Sequence, residues 1–345
     1  MVTGIGKYWA SVKGNARYLR GRDYGQMGPI RTVEMHTGGE PLRIITEGIP
    51  LPDTLTLLEK RRYLRENADQ YRRFLMFEPR GHRDMYGALL VPADHPDADF
   101  GVIFMHNEGY STMCGHAVIA LGRYAVDTGL VSASDGKTSL TIQCPCGPVT
   151  ASVEMSEGKS GRVSFESVPS FALKLDQFVN TDTYGPVELD IGYGGAFYGI
   201  LDAASIGLDV KKTLVQDLIT AASHLKEAIN KEIDISHPEE EDLGFLYGII
   251  FTDGQTGKDG NSSRNICIFA DGQVDRSPTG SGVTARLAVM AAKGETEIGE
   301  PHVFESITGS TFNGKTLSKA VIGPYKGVTV EVGGQAHYCG TAEFT

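Results

Sequence analysis

The sequence predicts a mixed α/β (α+β) protein of two pseudo-symmetric halves, each with an apolar helix buried at its centre. Three observations support this prediction. Short strand-like runs alternate with helical patterns, three short glycine motifs recur in the same order, and two helical segments are apolar on nearly every face. A chain of 345 residues is long enough for about two domains.

The composition excludes several classes of partner. Hydrophobic residues make up 41% of the chain and charged residues 22%, as in ordinary globular proteins. No apolar stretch approaches the roughly 18 residues that a membrane helix needs, so we expect no membrane partner. The formal net charge of −11 has the wrong sign for a nucleic-acid partner. Five cysteines without a secretory apolar segment predict a reduced, cytoplasmic location.

The first residues differ in charge from the rest of the chain. Residues 1–28 carry a local charge of +4, from one acidic residue and five basic ones: Asp23, Lys7, Lys13, Arg17, Arg20 and Arg22. We interpret this segment as an extension that is disordered or a targeting segment, which leaves mitochondrial import open. The predicted domains are a first half at 29–180, a second half at 181–310, and C-terminal strands at 311–345 that complete both.

Hydrophobic periodicity predicts the individual elements. Runs rich in β-branched and aromatic residues between turn residues predict strands at 31–36, 42–47, 86–91, 100–105, 140–144, 149–153, 163–168, 187–193, 197–201, 246–252, 265–269 and 328–332. Apolar residues at helical spacing predict helices at 54–75 and 211–231. We interpret the basic residues of the first of these helices as a solvated face: Lys60, Arg61, Arg62, Arg65, Arg72 and Arg73.

Three pairs of short motifs suggest an internal repeat. They are Gly38-Gly39 with Gly194-Gly195, Tyr86-Gly87 with Tyr247-Gly248, and Cys114-Gly115-His116 with Thr279-Gly280-Ser281. Their offsets, 156, 161 and 165, grow slowly along the chain. Three pairs in one order favour two related halves, with a boundary near 170–188.

Each of the two apolar helices begins with small residues, which leave backbone N–H groups accessible. A helix N-terminus carries about half a positive charge and unpaired donors, so it suits a carboxylate. Two such termini facing each other across a domain cleft would hold one carboxylate from both sides. They carry Cys114 at one start and Thr279 at the other.

These two residues differ in acidity, so we expect a catalytic base at only one of the two helix starts. The positive end of a helix lowers a thiol pKa, so Cys114 could act as a base on a weakly acidic carbon. An aliphatic hydroxyl is too weak an acid for Thr279 to form a comparable base. The alternative for Cys114 is a packing role, the usual one of a buried free cysteine. The pair Cys144 and Cys146 has no second pair at metal spacing, so no metal site is predicted.

Four motifs resemble the proline racemase family from about residue 30 to the C-terminus. They are MHTGGEPLR at 35–43, EPRGHRDMYG at 78–87, MCGHA at 113–117 and DRSPTGSG at 275–282. The resemblance implies a fold like that of diaminopimelate epimerase, with strands around a central helix in each of two domains and the site in the cleft. It also implies an imino-acid substrate and no metal, pyridoxal phosphate or nicotinamide cofactor, and it leaves room for a homodimer.

The resemblance also implies roles for individual residues. Cys114 corresponds to the base that removes the Cα proton, and Asp275 to a residue near the ring nitrogen. The substrate-binding positions are Gly115, His116, His237, Asp275, Gly280 and Ser281. Racemases of the family carry a second cysteine where this chain has Thr279. That departure is similar to the trans-3-hydroxy-L-proline dehydratase branch, so the expected reaction is cofactor-independent dehydration of that imino acid to Δ1-pyrroline-2-carboxylate.

Three other functions remain open from the sequence. The first is a racemase or epimerase acting on proline or 4-hydroxyproline, which the missing second cysteine disfavours. The second is a cysteine hydrolase that uses Cys114 with a distant histidine. The third is a non-catalytic imino-acid-binding protein.

Overall fold

A computed structural model describes residues 28–345, so the predicted extension at 1–28 lies, apart from Gly28, outside the described residues. The chain divides into two compact units. Unit 1 contains the described residues up to Thr112, together with Ala117–Ser164 and Gln335–Thr345. Unit 2 contains Met113–His116 and Phe165–Gly334. The domain limits at 180 and 310 stay predictions.

Strands contribute more residues than helices to both units. In chain order they are β1 (Ile30–Thr37), β2 (Glu40–Glu47), β3 (Tyr86–Val91), β4 (Phe100–His106), β5 (Gly136–Cys144), β6 (Gly147–Ser156), β7 (Lys159–Glu166), β8 (Ser170–Thr181), β9 (Gly185–Tyr193), β10 (Phe197–Asp202), β11 (Leu246–Thr252), β12 (Ser262–Phe269), β13 (Gln273–Asp275), β14 (His302–Glu305), β15 (Thr311–Ile322), β16 (Tyr325–Gly334) and β17 (Ala336–Phe344). All twelve predicted strands are present. The sequence missed β8, β13, β14, β15 and β17.

Five α-helices accompany these strands in the described residues. They are α1 (Leu57–Asn67), α2 (Gln70–Met76), α3 (Gly115–Asp127), α4 (Val215–Glu232) and α5 (Gly280–Lys293). Short 3₁₀ turns occur at Ala203–Ile206 and Glu241–Leu243. Within residues 28–345, no helix is both long enough and apolar enough to cross a bilayer.

The strands of unit 1 form one mixed sheet. Strand β1 lies between β17 and β2 and is antiparallel to both. Strand β2 is parallel to β3, and β3 is antiparallel to β4. The sheet continues with β5, which is parallel to β4, and with β6, which is antiparallel to β5.

The strands of unit 2 close into a barrel. Pairing runs from β8 through β9, β10, β11, β12, β14, β15 and β16, and β16 pairs again with β8. Helix α5 packs against β8, β9, β10, β15 and β16, so it lies inside this barrel. Its residues from Gly280 to Met290 are all buried. An apolar helix is stable there because every face of it meets strand side chains.

Both units share one pairing order, which confirms the predicted fold class of two related halves. In unit 1, β1 is antiparallel to β2, β2 is parallel to β3, and β3 is antiparallel to β4. Helix α3 follows in the chain, and then come β5, which is parallel to β4, and β6, which is antiparallel to β5. In unit 2, the pairs β9–β10, β10–β11 and β11–β12 have the same order of directions. Helix α5 follows, and then come β14, which is parallel to β12, and β15, which is antiparallel to β14. The glycine motifs therefore mark a structural repeat.

The single helix predicted over 54–75 is wrong, because the structure has two helices there. Thr56 and Glu59 form a capping box that starts α1. The chain leaves helical geometry at Ala68, with φ −142° and ψ 25°, and α2 begins after Asp69. Helical spacing alone does not reveal such a break.

The prediction of a solvated basic face is also wrong for three of its six residues. Lys60, Arg61 and Arg72 are only 4%, 6% and 5% exposed. Arg61 donates to the Tyr110 carbonyl at 2.8 Å. Arg72 donates to the His106 carbonyl at 2.9 Å and pairs with Asp69 at 2.7 Å. Backbone carbonyls at the end of β4 and just after it therefore take the place of water around the two guanidinium groups.

Replacing Arg72 by alanine should lower the free energy of unfolding by about 3 kcal/mol, because it leaves buried acceptors without a donor. Arg73 is exposed on the same helix, so Arg73→Ala is the matched control and should change stability by less than about 0.5 kcal/mol. Urea unfolding of both variants measures the difference. Equal, small effects would show that the Arg72 contacts do not stabilise this segment.

Candidate active site

The starts of α3 and α5 meet within unit 2. Met113–His116 groups with this unit although the rest of α3 does not. A Cβ placed on Gly115 would lie 2.5 Å from Cα of Gly280, and one placed on Gly280 would lie 2.7 Å from Cα of Gly115. The two backbones are therefore in contact, and neither position has room for a side chain. This contact brings together two helix ends with unpaired N–H donors.

Cys114 lies next to a histidine at the start of α3. Its side chain is 5% exposed, and its Sγ lies 3.0 Å from Nδ1 of His116. Neutral imidazole can accept the thiol proton, and imidazolium can donate to a thiolate. The pair can therefore hold a proton at either atom, which suits Cys114 for proton transfer.

A tight loop carries Asp275 and Thr279 into α5. Oδ1 of Asp275 accepts from the Ser277 backbone N–H at 2.8 Å, and Ser277 Oγ accepts from the Thr279 N–H at 3.1 Å. Burial raises the pKa of the Asp275 carboxyl to about 6, although hydrogen bonding from Ser277 and the nearby Thr279 hydroxyl oppose the rise. A buried carboxylate of this kind is suited to a cationic ligand.

Thr279 precedes α5 in a strained conformation. Its φ of +65° and ψ of 91° are unusual for a β-branched residue, and its carbonyl accepts from the Val283 N–H at 2.7 Å. Oγ1 is buried and makes no hydrogen bond of normal geometry with the described residues. The hydroxyl nevertheless lies close enough to Asp275 to help lower the pKa of its carboxyl. Oγ1 therefore retains capacity for a ligand.

Two side chains that the sequence analysis missed support the loop before α5. Asn265 donates through Nδ2 to the Pro278 carbonyl at 3.2 Å, and Arg286 donates to Asn265 Oδ1 at 3.0 Å. The guanidinium can only donate, so it directs the amide nitrogen toward Pro278. Both residues are buried, and nothing in their local sequence indicates these partners.

Tyr198 is a third residue that the sequence analysis missed. Its side chain is fully buried on β10, and its hydroxyl lies 2.7 Å from Ser281 Oγ. Burial raises the pKa of this phenol well above its ordinary value. The only local signal was an aromatic residue shortly after the repeated Gly194-Gly195 motif.

His237 has surroundings of a different kind. Its half-buried ring packs against Tyr193, with the ring centroids 4.8 Å apart, and lies within 6.5 Å of Phe171 and Phe197. Its Nδ1 accepts backbone N–H groups of its own turn, and burial lowers the pKa of its imidazole. None of its described contacts is with Cys114 or Asp275. The structure therefore brings together the other predicted site residues, and it leaves His237 in an aromatic cluster.

The candidate site offers side chains and backbone amides as its functional groups. Among residues 28–345, no three His, Cys, Asp or Glu side chains are arranged to hold a metal ion. The site offers a thiol with an imidazole, a buried carboxyl with a raised pKa, and the N–H donors of two helix starts. This combination can bind a small zwitterion and move a proton from it.

Comparison with known proteins gives strong matches over nearly the whole described chain. The family described as proline racemase matches residues 32–345. The trans-L-3-hydroxyproline dehydratase of Xenopus tropicalis is 53% identical over 91% of both chains. The human trans-3-hydroxy-L-proline dehydratase is 54% identical over 91% of this chain and 90% of its own.

Solved structures agree with these matches. A probable proline racemase from Agrobacterium radiobacter has a TM-score of 0.86 at 29% identity, with 92% of this chain and 93% of that chain covered. A hydroxyproline epimerase from Agrobacterium vitis, solved with bound trans-4-hydroxy-L-proline, has a TM-score of 0.86 at 26% identity, with 91% and 92% covered. The motifs, the repeated topology and these matches agree, and the chain belongs to the proline racemase family.

Proposed function

We propose that this chain dehydrates trans-3-hydroxy-L-proline to Δ1-pyrroline-2-carboxylate without a cofactor. One observation carries the proposal: the two helix starts hold unequal residues, a Cys114 thiol beside His116 and a Thr279 hydroxyl. Such a site has one strong base where a racemase needs an acid and a base on opposite faces of Cα. The names of the similar curated relatives support this substrate.

The substrate is a zwitterion, and the site has a partner for each of its charges. We propose that N–H groups at the starts of α3 and α5, around Gly115, His116, Gly280 and Ser281, receive the carboxylate. They also stabilise the charge that develops on it as Cα loses its proton. The Asp275 carboxylate pairs with the ring ammonium, whose positive charge makes the Cα–H more acidic.

In the proposed reaction the Cys114 thiolate removes the Cα proton and becomes a thiol. The electron pair of the broken C–H bond forms the Cα–Cβ double bond, and the β-hydroxyl leaves. This oxygen takes up one proton and departs as water, and the Cys114 thiol gives up the proton it gained from Cα, so that the protons balance and the thiolate is restored. The enamine then tautomerises to the cyclic imine. We assign the Thr279 hydroxyl a hydrogen bond to the substrate, which orients it for departure of the β-hydroxyl.

A racemase or epimerase is the second candidate, because two similar solved structures are described as enzymes of that kind. Such an enzyme must deliver a proton to the face of Cα opposite the base. Thr279 stands where the family's second cysteine would deliver it, and an aliphatic hydroxyl is a poor donor to carbon. His237, the cytoplasmic location and the homodimer stay predictions.

Incubation with trans-3-hydroxy-L-proline in D₂O, followed by NMR, tests the function directly. We expect Δ1-pyrroline-2-carboxylate with deuterium at the former Cβ, because tautomerisation of the enamine adds a solvent deuteron there. Parallel samples with L-proline and trans-4-hydroxy-L-proline should yield no epimer. An α-deuterated epimer would favour the racemase function, and binding without any product would favour an imino-acid-binding protein.

Affinity for an imino acid should fall below about pH 6, because protonation of Asp275 removes the partner of the ring ammonium. L-proline has no β-hydroxyl, so its binding can be followed by calorimetry without dehydration. We expect about a tenfold loss of affinity for each pH unit below 6. Asp275→Asn should bind weakly at every pH, and a pH-dependent loss in that variant would assign the titration to another group.

The same carboxyl should also affect stability. Its folded pKa lies above the unfolded value of 3.8, so its contribution is fully present below pH 3.8 and is lost as the pH rises through about 6. The difference of about two pH units corresponds to roughly 3 kcal/mol. In Asp275→Asn this part of the pH dependence of urea unfolding should disappear. An unchanged dependence would mean that the carboxyl is not desolvated in the folded protein.

A further inference from the structure

The turn between β9 and β10 holds the first turn of α5 from one side. A Cβ placed on Gly194 would lie 2.3 Å from the Ser281 carbonyl oxygen, so the two backbones are in direct contact. The turn is tight, since the Gly194 N–H donates to the Ala196 carbonyl at 3.0 Å and Gly195 has φ +90°. Two residues into β10, Tyr198 reaches Ser281 Oγ at 2.7 Å. Both the backbone and the hydroxyl of Ser281 are therefore held by this hairpin.

The corresponding residue of the other helix start is held differently. His116 follows Cys114 by two residues, as Ser281 follows Thr279, and its ring nitrogen bonds the Cys114 thiol. No thiol precedes α5, and the Ser281 hydroxyl bonds Tyr198 instead. The phenol stays protonated at physiological pH, because burial raises its pKa.

A serine hydroxyl near a helix N-terminus can also bond the free backbone N–H groups around it. Those N–H groups are the ones that the proposed function assigns to the substrate carboxylate. The bond to Tyr198 fixes Ser281 Oγ in one position and so limits its approach to those N–H groups. We infer that Tyr198 is a positioning residue: it fixes the Ser281 hydroxyl and so keeps the N–H donors at the start of α5 available for the carboxylate.

This inference rests on the proposed function, and a double-mutant cycle tests it. The wild type, Tyr198→Phe, Ser281→Ala and the double variant are compared for KM and kcat with trans-3-hydroxy-L-proline, and for binding of L-proline. We expect Tyr198→Phe to raise KM and the L-proline Kd about three- to tenfold, the effect of one buried hydrogen bond, with a smaller change in kcat. In the Ser281→Ala background the same replacement should change either constant by less than about twofold, because its partner is gone.

Tyr124→Phe is the matched control, because Tyr124 is a buried tyrosine of unit 1 and should leave both constants unchanged. Equal losses from Tyr198→Phe in both backgrounds would overturn the inference, since Tyr198 would then act through packing. No loss in the wild-type background would overturn it as well. A wild type that does not convert trans-3-hydroxy-L-proline would instead contradict the proposed function, which distinguishes the two failures.

Discussion

Replacing Cys114 by serine should lower the rate of dehydration by about 10³-fold or more, while the protein still folds. The two side chains have nearly the same shape, and Cys114 is 5% exposed, so the packing around α3 should be preserved. The serine hydroxyl is too weak an acid to form a base beside His116 at neutral pH. Loss of a general base commonly costs two to four orders of magnitude. Steady-state rates and thermal unfolding of the purified variant measure the two effects.

Cys339→Ser is the control for this experiment, because Cys339 is an exposed cysteine on β17. It should keep wild-type activity, which excludes a general effect of losing a thiol. The Cys114 variant should still bind L-proline, since the proposed N–H donors and Asp275 are unchanged. Activity within tenfold of the wild type would show that another group removes the Cα proton.

Gly115→Ala should lower kcat/KM by about 100-fold or more. The new methyl group would lie 2.5 Å from Cα of Gly280 and 3.0 Å from the backbone nitrogen of Ser281. These neighbours are backbone atoms and cannot rotate away, so the two helix starts must separate. Overpacking of this kind costs about 1–3 kcal/mol and moves the N–H donors out of position. Kinetic constants and urea unfolding measure the loss.

Gly109→Ala tests whether glycine replacement as such is harmful. Apart from Gly109 itself and its two chain neighbours, no heavy atom lies within 4 Å of a Cβ at this position, so this variant should match the wild type in activity. A Gly115→Ala enzyme with normal kcat/KM would show that the contact with Gly280 is not needed for the reaction. It would also weaken the assignment of the carboxylate to these two helix starts.

Local patterns in the sequence were sufficient for much of the fold. Runs of β-branched and aromatic residues identified twelve strands, and the all-apolar helices after Cys114 and Thr279 identified the buried centres of the repeat. These predictions succeed because burial determines the local composition of each element separately. Strands β8, β15 and β17 escaped detection because much of each strand is exposed or only partly buried, which weakens its hydrophobic pattern.

Which residues contact each other in the folded chain depends on residues that are far apart in the sequence. The motifs placed Cys114, Gly115, Asp275 and Gly280 at a candidate site, but their spacing carries no information about the Gly115–Gly280 contact. Arg72 was interpreted as solvated because helical periodicity shows which face a residue occupies, not which carbonyls cover that face. His237 was assigned to the site, and this assignment stays a prediction, since its described contacts are with aromatic rings and with backbone N–H groups of its own turn.

The sequence alone was therefore enough to assign the family, the repeat and the unequal pair of Cys114 and Thr279, because these depend on which residues are present and in what order. Folding was required to bury Asp275 and raise its pKa to about 6, and to bring Tyr198 to Ser281. Desolvation and hydrogen bonding depend on distances between atoms, and Ser281 lies 83 positions after Tyr198 in the chain. The closed barrel around α5 brings these two distant residues into contact.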